Sequence, residues 1–346
     1  MKTGCKYGTH RVIEPKGVLP QAADVVSNDM NIFDNEILID VEALNIDSAS
    51  FHQLKEAAGG DEEKLKASIC EIVRQKGKMK NPVTGSGGVL IGKVAKIGPK
   101  LEKKIALKPG DKIVTLVSLS QTPLRIDAIN KVHMKIDRVD IKGQAILFET
   151  GLYAKIPTDI PEAAAMAALD VAGAPAQTAK LVRPGQKVLI LGGTGKSGIL
   201  CAYEARKRVG PTGLVVGIGQ SEKNIQRLKD LGFCHHVIKA NAQDPMDVLT
   251  KAMEASGGAE YDITINCLNV PNSEMSCILP VRDGGIVYFF SMATSFTKAA
   301  LGAEGVGKDV DMIIGNGYTK DHAEITLQLL RESPALMKLF RESYTA

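Results

Sequence analysis

The feature that most constrains the fold is an apolar run followed at once by a glycine-rich segment. Residues 187–191 read Lys-Val-Leu-Ile-Leu, and a G-x-G-x-x-G motif occupies residues 193–198. A nearly unbroken apolar run is typical of a parallel strand covered on both faces. The same motif between a strand and a helix predicts a dinucleotide-binding turn. The predicted cofactor-binding residues of this turn are Gly193, Thr194, Gly195, Lys196 and Ser197.

Each glycine of the motif has a predicted physical role. Gly193 permits a tight turn, Gly195 lets a pyrophosphate approach the backbone because it lacks a Cβ, and Gly198 lets the helix pack closely on the sheet. The helix N-terminus adds free N–H groups and partial positive charge for the phosphates. An ATPase phosphate loop is excluded, because Ile190 stands where that loop requires its first glycine.

The order of elements after residue 156 predicts the fold class. Short apolar runs alternate with helical patterns, which predicts a doubly wound parallel sheet of the Rossmann type. Pro175 is expected to break or kink the first of these helices. The predicted strands are 187–191, 214–218, 236–238, 262–266 and 285–290, and the predicted helices are 161–180, 197–209, 221–231, 246–255 and 323–330.

The preceding part of the chain has a different pattern. Strands are predicted at 36–44, within the glycine-punctuated stretch 83–98, and at 112–116 after a Pro-Gly turn. One helix is predicted at 61–76, with Asp61 as its N-cap and Gly77 as its end. We therefore expect a domain of mixed strand and irregular structure over residues 1–155 and a dinucleotide-binding domain over 156–346, whose last helix is a candidate to pack back on the first domain.

Composition excludes several classes of protein. The chain is 44% hydrophobic and 24% charged with a net charge of +4, which is ordinary for a globular protein and does not indicate a nucleic-acid partner. No run approaches the ~20 apolar residues of a membrane span. The N-terminus lacks the apolar core of a signal peptide, so a cytoplasmic protein is expected. The six cysteines form no C-x-x-C pair, which predicts reduced thiols and no structural zinc.

The end of the second Rossmann strand bears on the choice between NAD and NADP. NAD sites usually place a carboxylate there, about 20 residues beyond the glycines, where it binds the ribose hydroxyls and repels a 2′-phosphate. This chain has Gly219-Gln220-Ser221 instead, followed by Lys223 and Arg227. The carboxylate missing at Gly219 favours NADP, with Ser221, Lys223 and, one turn further, Arg227 at the phosphate, and the predicted cofactor-binding residues here are Gly219, Ser221 and Lys223. The alternative is that the two cations are solvated and NAD binds.

Further cofactor contacts are expected where later strands end, because ligands of doubly wound sheets bind at the carboxyl ends of strands. Asn266 and Leu268 follow the fourth predicted Rossmann strand, and Ser291 follows the fifth. These three residues are predicted to bind the cofactor, with backbone contact to the nicotinamide ribose. The plainer interpretation, that Cys267 and Phe290 beside them are core residues, is compatible with such contact.

Two stretches, residues 108–114 (Lys-Pro-Gly-Asp-Lys-Ile-Val) and 183–193, resemble the medium-chain dehydrogenase/reductase superfamily, and the resemblance extends over about residues 30–330. It implies a barrel-like (GroES-like) catalytic domain, a Rossmann domain and an active site in the cleft between them. Zinc-dependent members have a catalytic Cys near the position of Asp47 and a ligand signature near residues 85–88, where this chain has neither His nor Glu. The resemblance therefore implies hydride transfer without a metal.

Residues 4–12, 143–157 and 170–175 resemble, more specifically, the amine dehydrogenases of lysine fermentation. That resemblance implies NAD(P)-dependent oxidative deamination of erythro-3,5-diaminohexanoate at C3, which yields 5-amino-3-oxohexanoate and ammonium. A homodimer is expected, since strand edges of this fold commonly pair. Two alternatives stay open: a zinc-free quinone or enoyl reductase, and a regulator that binds NADPH without turnover.

Position within the superfamily suggests candidate site residues. Asp47, Ser48 and His52 fall where relatives keep catalytic or proton-relay groups, and Glu149 follows an apolar run, where a carboxylate is either paired or functional. Plainer interpretations are a helix N-cap for Asp47 and a structural hydrogen-bond partner for His52. The predicted substrate-binding residues, hydroxyls on the glycine-rich stretch and cations for a carboxylate, are Thr84, Ser86, Arg125 and Lys142.

Overall fold

The computed structural model describes residues 2–315 and 317–344 and divides the chain into two units. The first unit runs to Glu162, and the second begins at Ala163. The carboxylate of Glu162 is 2.6 Å from the Nζ of Lys112 and 3.5 Å from the Nη1 of Arg138, both in the first unit. The division lies seven residues beyond the boundary expected from the sequence pattern.

An antiparallel sheet forms the centre of the first unit. Its strands are β3 (Glu36–Asn45), β4 (Val89–Ile97), β5 (Lys112–Thr115), β6 (Leu124–His133), β7 (Arg138–Phe148) and β8 (Tyr153–Lys155), in the order β6-β7-β3-β4-β5-β8. A small antiparallel pair, β1 (Val12–Glu14) and β2 (Val25–Val26), precedes them. The predicted strand stretch 83–98 is strand only from Val89, because Gly85 and Gly88 adopt positive φ angles of 72° and 84° and form a turn.

Two helices, α1 (Ser48–Ala57) and α2 (Glu62–Lys76), pack on this sheet with buried apolar residues such as Phe51, Leu65 and Ile69. The predicted boundaries of α2 are confirmed. The side chain of Asp61 accepts hydrogen bonds from the amides of Glu63 and Lys64, and Gly77 ends the helix with φ 69°. The sequence analysis did not predict α1, which begins directly after β3.

A buried ionic centre fastens the N-terminal segment to β3. The guanidinium of Arg11 donates to both carboxylate oxygens of Glu36, at 2.9 and 2.6 Å, and to the carbonyl oxygens of Asp29 and Asn31. The Nε2 of His10 lies 2.8 Å from the same carboxylate. Burial alone raises the pKa of Glu36, but the hydrogen bonds from His10 and Arg11 outweigh it and lower the pKa to about 2. Glu36 is therefore an ionised buried partner.

A parallel sheet of six strands forms the second unit. Its strands are β9 (Lys187–Leu191), β10 (Leu214–Gly219), β11 (His236–Lys239), β12 (Tyr261–Asn266), β13 (Val281–Phe289) and β14 (Val310–Ile314), in the order β11-β10-β9-β12-β13-β14. Every neighbouring pair is parallel. This is the doubly wound Rossmann order, which reverses between β9 and β12. The predicted fold class is confirmed, and β14 is a strand that the sequence analysis missed.

The helices of the second unit are α3 (Glu162–Leu169), α4 (Gly173–Leu181), α5 (Lys196–Val209), α6 (Glu222–Leu231), α7 (Pro245–Ala255), α8 (Glu274–Ile278), α9 (Phe296–Val306), α10 (His322–Glu332) and α11 (Pro334–Tyr344). The single helix predicted at 161–180 is in fact two, and the break lies before Pro175. This proline sits in the first turn of α4, where its missing N–H removes no intrahelical hydrogen bond. The final helix, α11, was not predicted, and it packs on α10 within the second unit.

The six cysteines are free thiols, and the Sγ atoms of Cys201 and Cys267 lie 3.9 Å apart in the second unit. Burial raises the pKa of the Cys201 thiol.

Over the described ranges, no helix has the length and apolar character needed to cross a membrane.

Candidate active site

The glycine loop joins β9 to α5, as predicted, and its turn spans residues 192–194. The positive φ, 75°, is at Gly192 and not at Gly193. Gly193 is needed for another reason: its amide donates to the carbonyl oxygen of Ile218 at 2.9 Å, and a Cβ there would lie 3.2 Å from the Cα of Gly217. The loop therefore lies directly against β10.

The two later glycines of the motif have the predicted surroundings. A Cβ at Gly195 would meet one heavy atom within 4 Å, the carbonyl oxygen of Gly192 at 3.4 Å, so the space beside its backbone is open. A Cβ at Gly198 would lie 2.1 Å from the same oxygen, because α5 packs closely on the loop. Gly195 is the N-cap of α5, and the first amides of the helix have no intrahelical acceptor. The residues present fit a dinucleotide diphosphate.

A cavity of about 560 Å³ opens beside this loop, between the ends of β10, β11 and β12. Its wall includes Thr194, Gly219, Gln220, Ser221, Asn241 and Leu268. The described residues of this wall include polar amides and hydroxyls and no carboxylate. An adenosine ribose at this place would therefore meet neutral donors and acceptors.

Ser221 and Lys223, which the sequence placed together at a phosphate, line different cavities. Ser221 lines this cavity, whereas the exposed Lys223 lines a different one, of about 720 Å³, between α6 and α11. Ser221 is the N-cap residue of α6, but its side chain makes no capping hydrogen bond. The Ser221 hydroxyl is thus available to a ligand in the cavity of about 560 Å³.

Arg227 supports the glycine loop. Its Nη2 donates to the carbonyl oxygen of Thr194 at 2.8 Å, and its Nε is buried without a hydrogen-bond partner among the described residues. The sequence analysis predicted either a solvated helix charge or a phosphate ligand and did not foresee this bond. The side chain connects α6 to the loop, and a role of Arg227 at a phosphate stays a prediction.

Lys196, the first residue of α5, forms an ion pair with Asp170 in the turn between α3 and α4. The Nζ of Lys196 lies 2.5 Å from the Oδ2 of Asp170, and the two side chains are 27% and 33% exposed. Asp170 was not among the predicted site residues, although it begins the stretch 170–175 that supported the family resemblance. The pair places a carboxylate next to the predicted diphosphate site.

The residues predicted at the ends of β12 and β13 mostly form hydrogen bonds that hold the loop after β12. The side chain of Asn266 is buried, accepts from the amide of Leu268 at 2.9 Å and donates to the Oγ of Ser273 at 3.1 Å. The backbone carbonyl oxygen of Asn266 accepts from the amide of Ser291 at 3.1 Å. Leu268 lines the same cavity of about 560 Å³, and a Cβ at Gly192 would lie 3.0 Å from its Cδ2. Asn266 therefore positions the loop, and Leu268 is the residue of the three that faces the cavity.

In the first unit, the end of β3 and the glycine-rich turn form a polar cluster. The Oδ1 of Asp47 accepts from the amide of Ser50 at 2.9 Å, so Asp47 is the N-cap of α1. The Oδ2 of Asp47 is buried without a hydrogen-bond partner in the described part of the chain. The hydroxyls of Ser50 and Thr84 lie 2.5 Å apart. Asp47, Ser50 and Thr84 are thus brought together.

The turn holds this cluster through a buried asparagine and a glycine. Asn81 accepts from the amide of Thr84 at 3.0 Å and donates to the carbonyl oxygen of Ser50 at 3.3 Å. A Cβ at Gly88 would lie 2.7 Å from the amide nitrogen of Asp47. The sequence analysis missed Ser50 and Asn81, and their only local signal was their proximity to Asp47 and Thr84 in the chain.

The remaining predicted residues of the first unit have other partners. Ser48 donates to Asp137 at 2.7 Å, His52 is 70% exposed and lies 3.1 Å from Glu56, and the amide of Ser86 donates to the Thr84 hydroxyl at 3.3 Å. Arg125 contacts Asp127 and Gln144, and Lys142 is exposed.

Glu149, the last predicted catalytic residue, is paired. Its carboxylate accepts from the side chains of Asn35 at 3.1 Å and Lys104 at 3.2 Å. These hydrogen bonds lower the pKa of Glu149. Across residues 2–315 and 317–344, no group of three or more His, Cys, Asp and Glu side chains is placed to hold a metal ion.

Two curated relatives match almost the entire chain. The L-erythro-3,5-diaminohexanoate dehydrogenase of Acetoanaerobium sticklandii is 68% identical over 99% of both chains. That of Fusobacterium nucleatum subsp. nucleatum is 65% identical over 99% of this chain and 100% of its own. This chain belongs to the L-erythro-3,5-diaminohexanoate dehydrogenase family.

A profile of the L-erythro-3,5-diaminohexanoate dehydrogenase N-terminal domain matches residues 10–157, which include Asp47, Thr84 and the buried Glu36. Solved structures with the same fold include the CurK enoyl reductase, with a TM-score of 0.53 and 17% identity over 89% of this chain and 78% of that one. The crotonyl-CoA carboxylase/reductase AntE in complex with NADP gives a TM-score of 0.53 and 18% identity, over 87% and 78%. The family therefore shares its fold with reductases that act on other molecules.

Proposed function

We propose that this enzyme oxidatively deaminates L-erythro-3,5-diaminohexanoate at C3, in lysine fermentation. The substrate, NAD(P)⁺ and water give 5-amino-3-oxohexanoate, ammonium, NAD(P)H and one proton. The observation that carries this proposal is the 68% and 65% identity, over nearly the full chain, to dehydrogenases named for that substrate. The open backbone at Gly195 supports the dinucleotide binding that this reaction requires.

A nicotinamide dinucleotide, when bound, supplies the hydride acceptor. The chain contributes the remaining functions. The open backbone at Gly195 and the first turn of α5 hold the diphosphate. The C3 ammonium must lose a proton before hydride leaves the same carbon, so a general base is required. Asp47 is our candidate, because its Oδ1 is fixed by the amide of Ser50 while its Oδ2 has no hydrogen-bond partner among the described residues.

The Thr84 and Ser50 hydroxyls are proposed to hold the water that adds to the imine. They lie together beside Asp47, and a hydroxyl both donates and accepts hydrogen bonds. This cluster offers oxygen atoms where zinc-dependent relatives in the superfamily use thiolate and imidazole ligands. We accordingly propose that turnover proceeds without zinc.

NADP is the proposed cofactor. The cavity that fits the adenosine ribose has no carboxylate among its described wall residues, and Gly219 ends β10 where NAD sites place an acid. The Ser221 hydroxyl, which makes no capping bond, is the proposed donor to the 2′-phosphate. Ser221→Asp should therefore weaken NADPH binding at least tenfold and leave NADH binding within about twofold, since a second negative charge repels a phosphate.

We also propose a homodimer formed at the β14 edge of the second sheet. Within the described residues, β14 pairs only with β13 and so leaves an open edge. Exposed apolar residues lie on β14 itself, where Ile314 is 55% exposed, and on the preceding helix α9, where Leu301 is 63% and Val306 51% exposed. Leu301→Glu should convert a dimer to a monomer in analytical ultracentrifugation, and a wild-type monomer would refute the proposal.

The experiment that tests the activity is formation of reduced cofactor with L-erythro-3,5-diaminohexanoate, in parallel with NAD⁺ and NADP⁺ and with a chelator present. Turnover that survives the chelator, faster with NADP⁺, is the expected result. Absence of turnover with either cofactor would refute the proposed reaction, and turnover abolished by the chelator would refute the metal-free site. Asp47→Asn should lower kcat at least a hundredfold, the lower end of what general-base catalysis contributes.

A further inference from the structure

The ion pair between Lys196 and Asp170 lies at the edge of the diphosphate site. Lys196 is the first residue of α5, directly after Gly195, and Asp170 is in the turn between α3 and α4. The two charged groups are 2.5 Å apart and about one-third exposed. A ligand at the N-terminus of α5 can therefore reach the ammonium of Lys196.

A dinucleotide diphosphate competes with Asp170 for this lysine. Both are anions that need a cation, and the diphosphate also gains the amides of the first turn of α5. Once Lys196 pairs with the diphosphate, the Asp170 carboxylate has lost a cationic partner beside a second anion. Two anions in such a position repel each other unless another cation enters.

The proposed substrate brings such a cation, because it carries two ammonium groups. We propose that Asp170 binds an ammonium group of the diamino acid, and that dinucleotide binding exposes Asp170 for this purpose by drawing Lys196 away. This inference rests on the proposed function, which supplies the substrate. It makes Asp170 a substrate-binding residue and makes the order of binding cofactor first, diamino acid second.

The proposed exchange, in which Lys196 leaves Asp170 and pairs with the diphosphate, is tested without turnover by fluorescence titration with NADPH. Asp170→Asn should tighten NADPH binding about two- to fivefold, because Lys196 no longer has to leave a partly exposed ion pair. Lys196→Met should weaken binding. In the Lys196→Met background, the Asp170→Asn change should have no further effect. Weaker NADPH binding by Asp170→Asn would overturn the exchange, since a merely structural carboxylate would give that sign.

The matched control is Glu332→Gln. Lys207, near the other end of α5, pairs with Glu332 at the same distance of 2.5 Å and with similar exposure, 36% and 32%. Removal of that carboxylate should leave NADPH binding unchanged. An equal gain in both variants would show a general charge effect and would overturn the specific role of Asp170.

The substrate side is tested in steady-state assays with saturating NADP⁺. Asp170→Asn should raise KM for the diamino acid about tenfold or more, as expected for loss of a charge-assisted contact, with a smaller change in kcat. Asp170→Glu should recover part of the loss and, if Asp170→Asn does not fold, serves as the test variant with a smaller rise in KM. An unchanged KM would overturn the inference. A wild-type enzyme without turnover would refute the proposed function, while the NADPH titrations would still decide the exchange.

Discussion

The Nη2 of Arg227 donates to the carbonyl oxygen of Thr194 at 2.8 Å, and so links α6 to the glycine loop. Arg227→Met removes this bond, and the loop loses a support directly beside the diphosphate site. Dinucleotide affinity should fall about tenfold, in line with the typical contribution of a hydrogen bond to a charged group. Lys229→Met, an exposed neighbour on the same helix, should have no effect in the same NADPH titration.

The buried carboxylate of Glu36 should make the first unit sensitive to acid. The pKa is about 2 in the folded protein and about 4.3 in an unfolded chain, so the stabilisation is complete above pH 4.3 and is lost as pH falls toward 2. Glu36→Gln should cost about 3 kcal/mol at pH 7, because the guanidinium of Arg11 is left buried without its partner.

Urea denaturation at several pH values checks this effect. The free energy of unfolding of Glu36→Gln should depend less on pH between 4.3 and 2 than that of the wild type. The exposed Glu56, which lies 3.1 Å from His52, provides the comparison. An equal cost for Glu56→Gln would contradict the assignment to burial.

Lys78 should make the free energy of unfolding depend on pH in the alkaline range. It is fully buried, and its Nζ donates to the carbonyl oxygens of Pro20 at 2.5 Å and Ala23 at 2.6 Å. Burial lowers its pKa to about 8, below the ordinary value of about 10.4. The folded state thus binds fewer protons than the unfolded state between these values, and stability rises with pH there.

Lys78→Met should lack this rise. Relative to the variant, the wild type should gain about 1–3 kcal/mol between pH 8 and 10.4, as measured by chemical denaturation. Lys64→Met, at an exposed position of α2, should retain the wild-type pH profile. A parallel profile for Lys78→Met would show that this lysine does not titrate in the range.

Two helical glycines should respond oppositely to alanine. A Cβ at Gly198 would lie 2.1 Å from the carbonyl oxygen of Gly192, so Gly198→Ala must displace the glycine loop and should lower both the melting temperature and dinucleotide affinity. Gly305, in α9, has no heavy atom within 4 Å of such a Cβ. Gly305→Ala should therefore stabilise the protein by about 0.5–1 kcal/mol. Calorimetry of the two variants measures whether Gly198→Ala lowers stability and Gly305→Ala raises it.

Gly219→Ala should not resemble Ser221→Asp. A Cβ at Gly219 would lie 2.5 Å from the Cγ2 of Thr194, which belongs to the glycine loop. The substitution should accordingly weaken NADH and NADPH binding alike, whereas a carboxylate at position 221 selects against the phosphate alone. If Gly219→Ala bound each cofactor as tightly as the wild type does, the glycine loop would be able to move away from the added Cβ without a loss of affinity.

Local patterns were sufficient to predict the strand, loop and helix from Lys187 to Val209, because apolar run, glycines and helix start all lie within one short stretch. They were not sufficient to place the positive φ, which depends on how the loop meets β10. The strand β6 was missed for a similar reason. Much of it is polar or exposed, and it is defined by pairing with β7.

The candidate site residues also differ in whether local sequence or contacts with distant residues decide their role. Asp47 could be predicted as an N-cap or a functional carboxylate, and the structure makes it an N-cap with one oxygen left over. Glu149 was ambiguous because its partners, Asn35 and Lys104, are remote in sequence. Lys223 and Arg227 are one helical turn apart, but only packing shows that Arg227 reaches the glycine loop.

The centre formed by Arg11 and Glu36 has a consequence for how residues 2–35 behave over time. Little of that segment is helix or strand, a composition usually associated with rapid exchange of amide hydrogens. Its backbone is nevertheless fastened to β3 through a buried charge, and the amide of Phe33 itself donates to Glu36 at 2.9 Å. Deuterium should therefore enter at Phe33 about as slowly as it enters β3, because the segment can open only when the ion pair is broken.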